Sequence, residues 1–361
     1  MNAPRLDDTE ASVPRARPVL VTGAVVLAAL GLALLGDPHA ALSALSDPMG
    51  AFMSPTRRVF LPFLLSSAAI ATLVWAVALR RRCSLLAFAF PRRIWLHRSA
   101  LLDYRLALMR ALLQVAVLAA LVVPVNTVAL AVARVLWRHV GFVPASALGD
   151  TTILLLFSAA AFVADDFARY VVHRLAHRVP ALWELHKVHH SAEVLTPMTV
   201  YRTHPIESVL MRGGAALALG IVAGIFLWMF PGRVQAWEVA GVYGLSFLWN
   251  LFGANLRHSH VWLSYGSMLE HVLISPAQHQ LHHSNDPRHY DTNFGSALAV
   301  WDWMFGSLRV AGRRERLTFG LPKGIRNHGD SVGSVIVSPL GCALRALVGG
   351  TRPSANASAR R

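Results

Sequence analysis

Residues 166–190 read DFARYVVHRLAHRVPALWELHKVHH. Asp166, Tyr170, His173 and His177 recur at spacings of four, three and four, which stacks all four side chains on one face of a helix. Pro180 then ends that helix and lets a second start at a new angle, carrying His186, His189 and His190. In HxxHH two imidazoles share a helical face and the third is turned by about 100°, so it reaches a second metal or the other side of the same one.

Upstream, the apolar run Thr151–Ala164 continues through Phe167, Tyr170, Val171 and Val172 once Asp165 and Asp166 are allowed, so the first histidine pair sits at the end of a candidate membrane helix. Further runs of about 18 to 23 residues, long enough to cross a hydrocarbon core, are Pro18–Gly36, Val59–Leu79, Ala111–Ala133, Gly213–Phe230 and Val239–Leu256. With 55% hydrophobic and 15% charged residues, the expected fold is all-α: a multi-pass transmembrane helical protein whose histidines lie in a helical cap. The chain divides into a mobile N-terminal tail (1–17), transmembrane helices with a basic loop (18–149), a histidine-box domain with a transmembrane hairpin (150–330), and a C-terminal segment and tail (331–361).

The net charge of +15 does not point to nucleic acid, because the basic residues flank apolar runs instead of forming a polar, base-reading face. Eight arginines lie between Arg80 and Arg110 against the single acid Asp103, the pattern of a cytoplasmic connection. Counting six crossings from Arg15 and Arg17 places every histidine cluster on that same cytoplasmic face, provided that the Thr151 run spans. A start that resembles a signal peptide is read as a first membrane anchor, since the run is long and more follow. Two lysines against thirty-two arginines fit a GC-rich coding sequence and a bacterial inner membrane.

Downstream, the HxxHH pattern returns as His279, His282 and His283, again just after a proline, Pro276. His258 and His260 follow the last apolar run, with His258 expected to continue that helix. Cys83 and Cys342 have no metal-type spacing, so any metal is held by nitrogen and oxygen. Eight or nine imidazoles exceed one four-coordinate zinc site and fit two metals. Paired Glu-x-x-His motifs and HExxH are both missing, which removes ferritin-like di-iron and zincin readings.

The ordered set Asp166, Tyr170, His173-Arg174, His177, Pro180, Leu182-Trp183, His186, His189, His190, Ser191, Arg202, His204, Pro205, Glu207, His258-Ser259, Pro276, His279, His282, His283, Ser284, Asp286, Asn293-Phe294-Gly295, Trp301-Asp302 and Phe305-Gly306 resembles the integral-membrane fatty acid hydroxylase and sterol desaturase superfamily. It covers about two fifths of the chain. The resemblance implies a non-haem di-iron centre that uses O2 to insert oxygen into, or remove hydrogen from, an unactivated C–H bond of a membrane lipid. It carries the ligand role onto His173, His177, His186, His189, His190, His258, His279, His282 and His283, and makes Asp166 a carboxylate supporting the ligands. His260 stands where the family often has Asn and is a tenth candidate ligand. His204 and Glu207 take supporting roles.

No dinucleotide fingerprint, cysteine-ligated cluster or fused haem domain is present, so electrons are expected from a separate donor, a ferredoxin or a cytochrome b5-like protein with its reductase. His39, His97, His139 and His328 read as ordinary surface or interface residues, His271 likewise, and Trp301-Asp302 as a turn at the membrane surface. The competing function is a histidine-rich membrane metal transporter or metal-binding protein, although a transporter would place ligands within broken spans at mid-bilayer.

Overall fold

The computed structural model describes residues 53, 58–78, 83–113, 123–143, 146–233, 240–325 and 327–349. Among them the regular structure is helical, and the one β-contact is an isolated bridge between Leu273 and Leu298. The helices are α1 (Leu61–Ala78), α2 (Arg98–Leu113), α3 (Val125–His139), α4 (Asp150–Arg178), α5 (Pro180–His190), α6 (Pro205–Met229), α7 (Ala240–Leu251), α8 (Pro276–His282) and α9 (Val332–Gly349), with shorter turns between them.

Three helices are long and apolar enough to cross a membrane: α4, α6 and α9. The Thr151 run therefore belongs to a continuous helix of 29 residues. At 1.5 Å per residue that is roughly 43 Å, longer than a ~30 Å hydrocarbon core, so its last turns can emerge with His173 and His177. The α1 helix is apolar over Leu61–Val77 but shorter.

Other expected crossings are changed. Ala111–Ala133 is not one helix: Pro124, extended at φ −60° and ψ 139°, caps a new helix at Val125, while α2 is described as far as Leu113. Val239–Leu256 is cut short because α7 ends at Leu251 and Gly253 turns left-handed at φ 86°, a conformation that side chains resist. His258 consequently lies on a separate 3-10 turn, Ala254–His258, and not on a continuation of the membrane helix. The segment after 331, read from sequence as a C-terminal segment and tail, contains the apolar helix α9. The run Pro18–Gly36, His39 and both tails lie outside the described residues.

Packing fixes how these helices meet. The α6 helix lies against α3 and α4 around Ala129, Phe157, Ala161 and Ala223. Gly220 and Gly224 permit that approach, since a Cβ at either would fall 2.5 to 2.6 Å from Val128, Val132 or the Ala129 carbonyl. At the far end Arg233 clasps Asp150 at 2.6 Å. At the near end α5 packs on α9 through Ala181, Leu185 and Ala343, and on α2 through Val188 with Leu102, Leu106 and Met109. These contacts place α5 and α8 over the emerging end of α4.

Candidate metal centre

Local sequence places each histidine. Pro180 at the first position of α5 follows Val179 in extended conformation and redirects the chain immediately after the α4 histidines. Pro276 does the same for α8, where Ser275 and Gln278 form a reciprocal capping box. His204 caps α6 by accepting from the Ile206 N–H, and Glu207 sits in that helix's first turn.

Two groups of buried imidazoles result. His173, His177, His186, His190 and His282 form one; His189, His258, His279 and His283 form the other; within each group the ligand atoms lie within 4.8 Å of one another. Each HxxHH is shared between them by its helical geometry. His186 and His190, four apart, face the first group while His189 turns to the second; in α8 His279 and His283 face the second group and His282 the first.

The outer ring nitrogens are occupied in a pattern that aims the inner ones. Nδ1 donates to the Phe294 carbonyl from His173 (2.8 Å), to Glu207 Oε1 from His186 (2.7 Å), to the Arg202 carbonyl from His189 (3.3 Å) and to the Thr292 carbonyl from His282 (2.8 Å). The opposite nitrogens, Nε2 of His173, His177 and His282, are buried with no hydrogen-bond partner. Burial pushes the pKa of His186 and His189 down to about 3, and holds His190, His258, His279, His282 and His283 well below the usual imidazole range. Neutral imidazoles with unspent lone pairs are the form that binds metal.

The inner nitrogens are also close together. Nε2 of His258, His279 and His283 form a triangle with edges of 3.0 to 3.1 Å, and His186 and His190 approach to 3.1 Å. Nitrogens about 2.1 Å from one ion stand ~3.0 Å apart at right angles and ~3.4 Å apart in a tetrahedron, so the edges fit a five- or six-coordinate ion better than a tetrahedral zinc. The donor set and its orphaned nitrogens fit a pair of metal ions.

A comparison with known sequences agrees with this donor pattern. Residues 158–307, which hold all nine histidines, match the fatty acid hydroxylase family. The histidine-box region belongs to the fatty acid hydroxylase family. The chain is 29% identical over 160 residues to an alkylglycerol monooxygenase of Xenopus tropicalis, covering 44% of this chain and 32% of that protein. It is 29% identical over 162 residues to the human alkylglycerol monooxygenase, covering 45% and 32%. The ornithine lipid hydroxylase OlsE of Rhizobium tropici is 30% identical over 162 residues, covering 44% of each. The chain thus spans less than half the length of each of these relatives. No solved structure matches the chain significantly.

Within this fatty acid hydroxylase domain several supporting residues act differently from expectation. Asp166 does not accept from a histidine ring. Its carboxylate accepts the N–H groups of Ala297 (2.7 Å) and Leu298 (3.0 Å) and the Trp301 indole (3.0 Å), so it pins the loop whose Phe294 carbonyl orients His173. The carboxylate that meets a histidine ring in the first group is Glu207, on α6. His260 reaches neither group; its Nε2 donates to the Phe88 carbonyl at 2.6 Å. His204 is likewise apart, donating to the Ile336 carbonyl at 2.9 Å and so tying α6 to α9.

Asp302 is a buried anchor and not a surface turn, accepting from the Phe294 and Gly295 N–H groups and from Ser307. His328, expected at the surface, is buried and donates to the Glu184 carbonyl on α5. His289 is buried beside Glu315 and outside both groups, and His271 donates to the Ser267 carbonyl. The carbonyl partners of His173, His189 and His282 carry no sequence signal, because any residue supplies a carbonyl.

Proposed function

We propose that this chain is an O2-dependent lipid hydroxylase or desaturase whose nine histidines hold two iron ions. The observation that carries the reading is the pair of buried, neutral imidazole groups, five and four strong, with their inner nitrogens unpartnered. Iron held there would supply the binding and reduction of O2 needed to oxidise an unactivated C–H bond. The protein's own contribution is to keep the imidazoles neutral, fix their tautomers through Nδ1, and enclose the site beneath α2, α5 and α9. The names of the relatives, alkylglycerol monooxygenase and ornithine lipid hydroxylase, support a lipid substrate and disfavour the transporter reading.

The domain bounds of 18–149 and 150–330 are retained in this proposal. The arginine-rich connection between Arg80 and Arg110 supports histidines facing the cytoplasm, in a bacterial inner membrane, with electrons from a ferredoxin or a cytochrome b5-like donor and its reductase. That orientation rests on the arginines, because the expected run of six crossings is not matched by continuous helices among the described residues.

The test is anaerobic reconstitution of the purified full chain with ferrous iron, followed by metal analysis. About two iron atoms per chain, with O2 consumption once reductant and lipid are present, is the expected result. One tightly held zinc and no O2 consumption with either donor class would overturn it.

A further inference from the structure

A cavity of about 390 Å³ opens against both histidine groups, touching His173 and His186 of the first and His189, His258 and His279 of the second. Its wall also carries five guanidinium-bearing residues drawn from five separate segments: Arg58, Arg110 of α2, Arg169 of α4, Arg212 of α6 and Arg257. Glu207 is the one carboxylate among the described lining residues, and it is engaged by His186. Asp165 neutralises Arg169 through bonds of 2.9 and 3.0 Å.

The contacts of the others leave positive charge in place. Arg257, itself buried, donates to the carbonyls of Ala254 (3.0 Å) and Ser296 (2.7 Å), both neutral. Arg110 donates to the Thr203 hydroxyl and lies 5.8 Å over the Tyr201 ring, again neutral. Burial, then the like charges of Arg257 and Arg169, hold the Arg58 guanidinium well below its usual pKa. Like charges gathered in a desolvated wall cost free energy unless an anion offsets them, and guanidinium forks match phosphate and carboxylate oxygens in pairs.

We propose that this cavity takes the anionic head group of the substrate, so that the lipid oxidised here is acidic, bearing a phosphate or carboxylate, and not a neutral sterol. The inference rests on the reading of the histidines as the oxidation centre and adds the substrate class. At about 30 Å³ per water-sized unit the cavity holds roughly a dozen such units, enough for a head group and a few carbons but not for a long acyl chain. Because arginines and histidines line the same space, the C–H bond presented for oxidation lies within a few bonds of the head group, and the acyl tail extends elsewhere. A neutral lipid of the same length would leave the guanidiniums facing an uncharged group, which makes the wall selective against it.

The experiment compares binding to the full chain in neutral detergent, with iron content measured on the same samples. The probes are dioleoyl phosphatidic acid, dioleoylglycerol with the same chains and no phosphate, and inorganic phosphate alone. Phosphatidic acid is expected to bind about tenfold or more tighter than dioleoylglycerol, and inorganic phosphate to compete only weakly. Arg58→Gln and Arg212→Gln should each erode the preference while iron content stays at the wild-type value, and Arg212→Lys should restore part of it.

Equal binding of the two lipids in iron-loaded protein would overturn the inference and leave the oxidation centre standing. Competition by inorganic phosphate as strong as by phosphatidic acid would also overturn it, by assigning the wall to a free anion. A preference for phosphatidic acid in protein that cannot be loaded with iron would support the head-group site and remove the proposed function instead.

Discussion

His186 Nδ1 and Glu207 Oε1 meet at 2.7 Å, both residues buried and on different helices, so the first turn of a membrane-spanning helix fixes the ring orientation of a histidine in the cap. The bond sets which nitrogen of His186 faces the first histidine group. Replacing the carboxylate with an amide keeps an acceptor but removes the charge that raises ligand basicity. Glu207→Gln should therefore lower metal affinity by roughly 10- to 100-fold without unfolding the chain, and Glu207→Ala more. Metal titration with thermal unfolding as control checks this; unchanged affinity in Glu207→Ala would detach the pair from the site.

Asp166 offers a contrasting case, in which a carboxylate acts on the site through the backbone. It gathers three donors from residues 297, 298 and 301 around one side chain. Asp166→Asn turns an amide N–H₂ toward some of those donors and leaves a buried N–H without its acceptor, at a cost of about 1–3 kcal/mol. A lowered Tm together with reduced iron loading is expected, since the same loop carries the Phe294 carbonyl. Reduced loading at unchanged Tm would place Asp166 nearer the metal than the geometry does.

The α3–α6 contact yields a prediction whose sign depends on packing. A Gly→Ala change inside a helix ordinarily stabilises it by about 1 kcal/mol. At Gly224 the added Cβ would sit 2.6 Å from the Ala129 carbonyl oxygen and from Val132 Cβ, and a backbone atom cannot swing aside. Gly224→Ala should thus destabilise the protein, by roughly 1–3 kcal/mol once the helices separate to relieve the clash. Thermal unfolding in detergent reads the sign directly, and a rise in Tm would mean that the two helices are not in contact.

Glu184 ties α5 to the segment ahead of α9. Burial alone would raise its pKa, but hydrogen bonds and charge from His328 and Lys187 outweigh that and hold it at about 2. A folded-state pKa below the unfolded one contributes stability that is complete above pH 4.5 and is lost as pH falls toward 2. With solvent screening of this partly exposed group, the contribution is about 1–2 kcal/mol. Glu184→Gln should lower stability at neutral pH by that amount and flatten the acid limb of the Tm–pH curve; an unchanged acid limb would remove Glu184 from it.

What could be read from the chain divides along physical lines. The i, i+4 and i, i+3 spacings and the prolines at 180 and 276 carried the two histidine pairs of each group, because helical periodicity is local. Helix continuity was less legible: one glycine at 253 and one proline at 124 divided apolar runs that length alone would have joined. The partner of Asp166 could not be read, since its donors lie more than 130 residues away and two of them are backbone groups. The arginine wall was hidden for the same reason, its five members being scattered from residue 58 to residue 257 and brought together only by packing.

His258 and His260 stand two residues apart in RHSH, yet the structure sends them to opposite sides of the 3-10 turn. His258 Nε2 lies 3.0 Å from His279 Nε2 and 3.1 Å from His283 Nε2, whereas His260 is spent on the Phe88 carbonyl and packs its ring 5.3 Å from that of Phe88. His258→Ala should remove about half of the bound iron, because three nitrogens then remain in the second group and the first keeps its five. His260→Asn should retain full loading and lose stability by about 1 kcal/mol at most, since the amide can still donate toward Phe88. Metal analysis on the two variants side by side decides the ligand count: loss of iron in His260→Asn at unchanged Tm would make it the tenth ligand and require the turn at Gly253 to be redrawn.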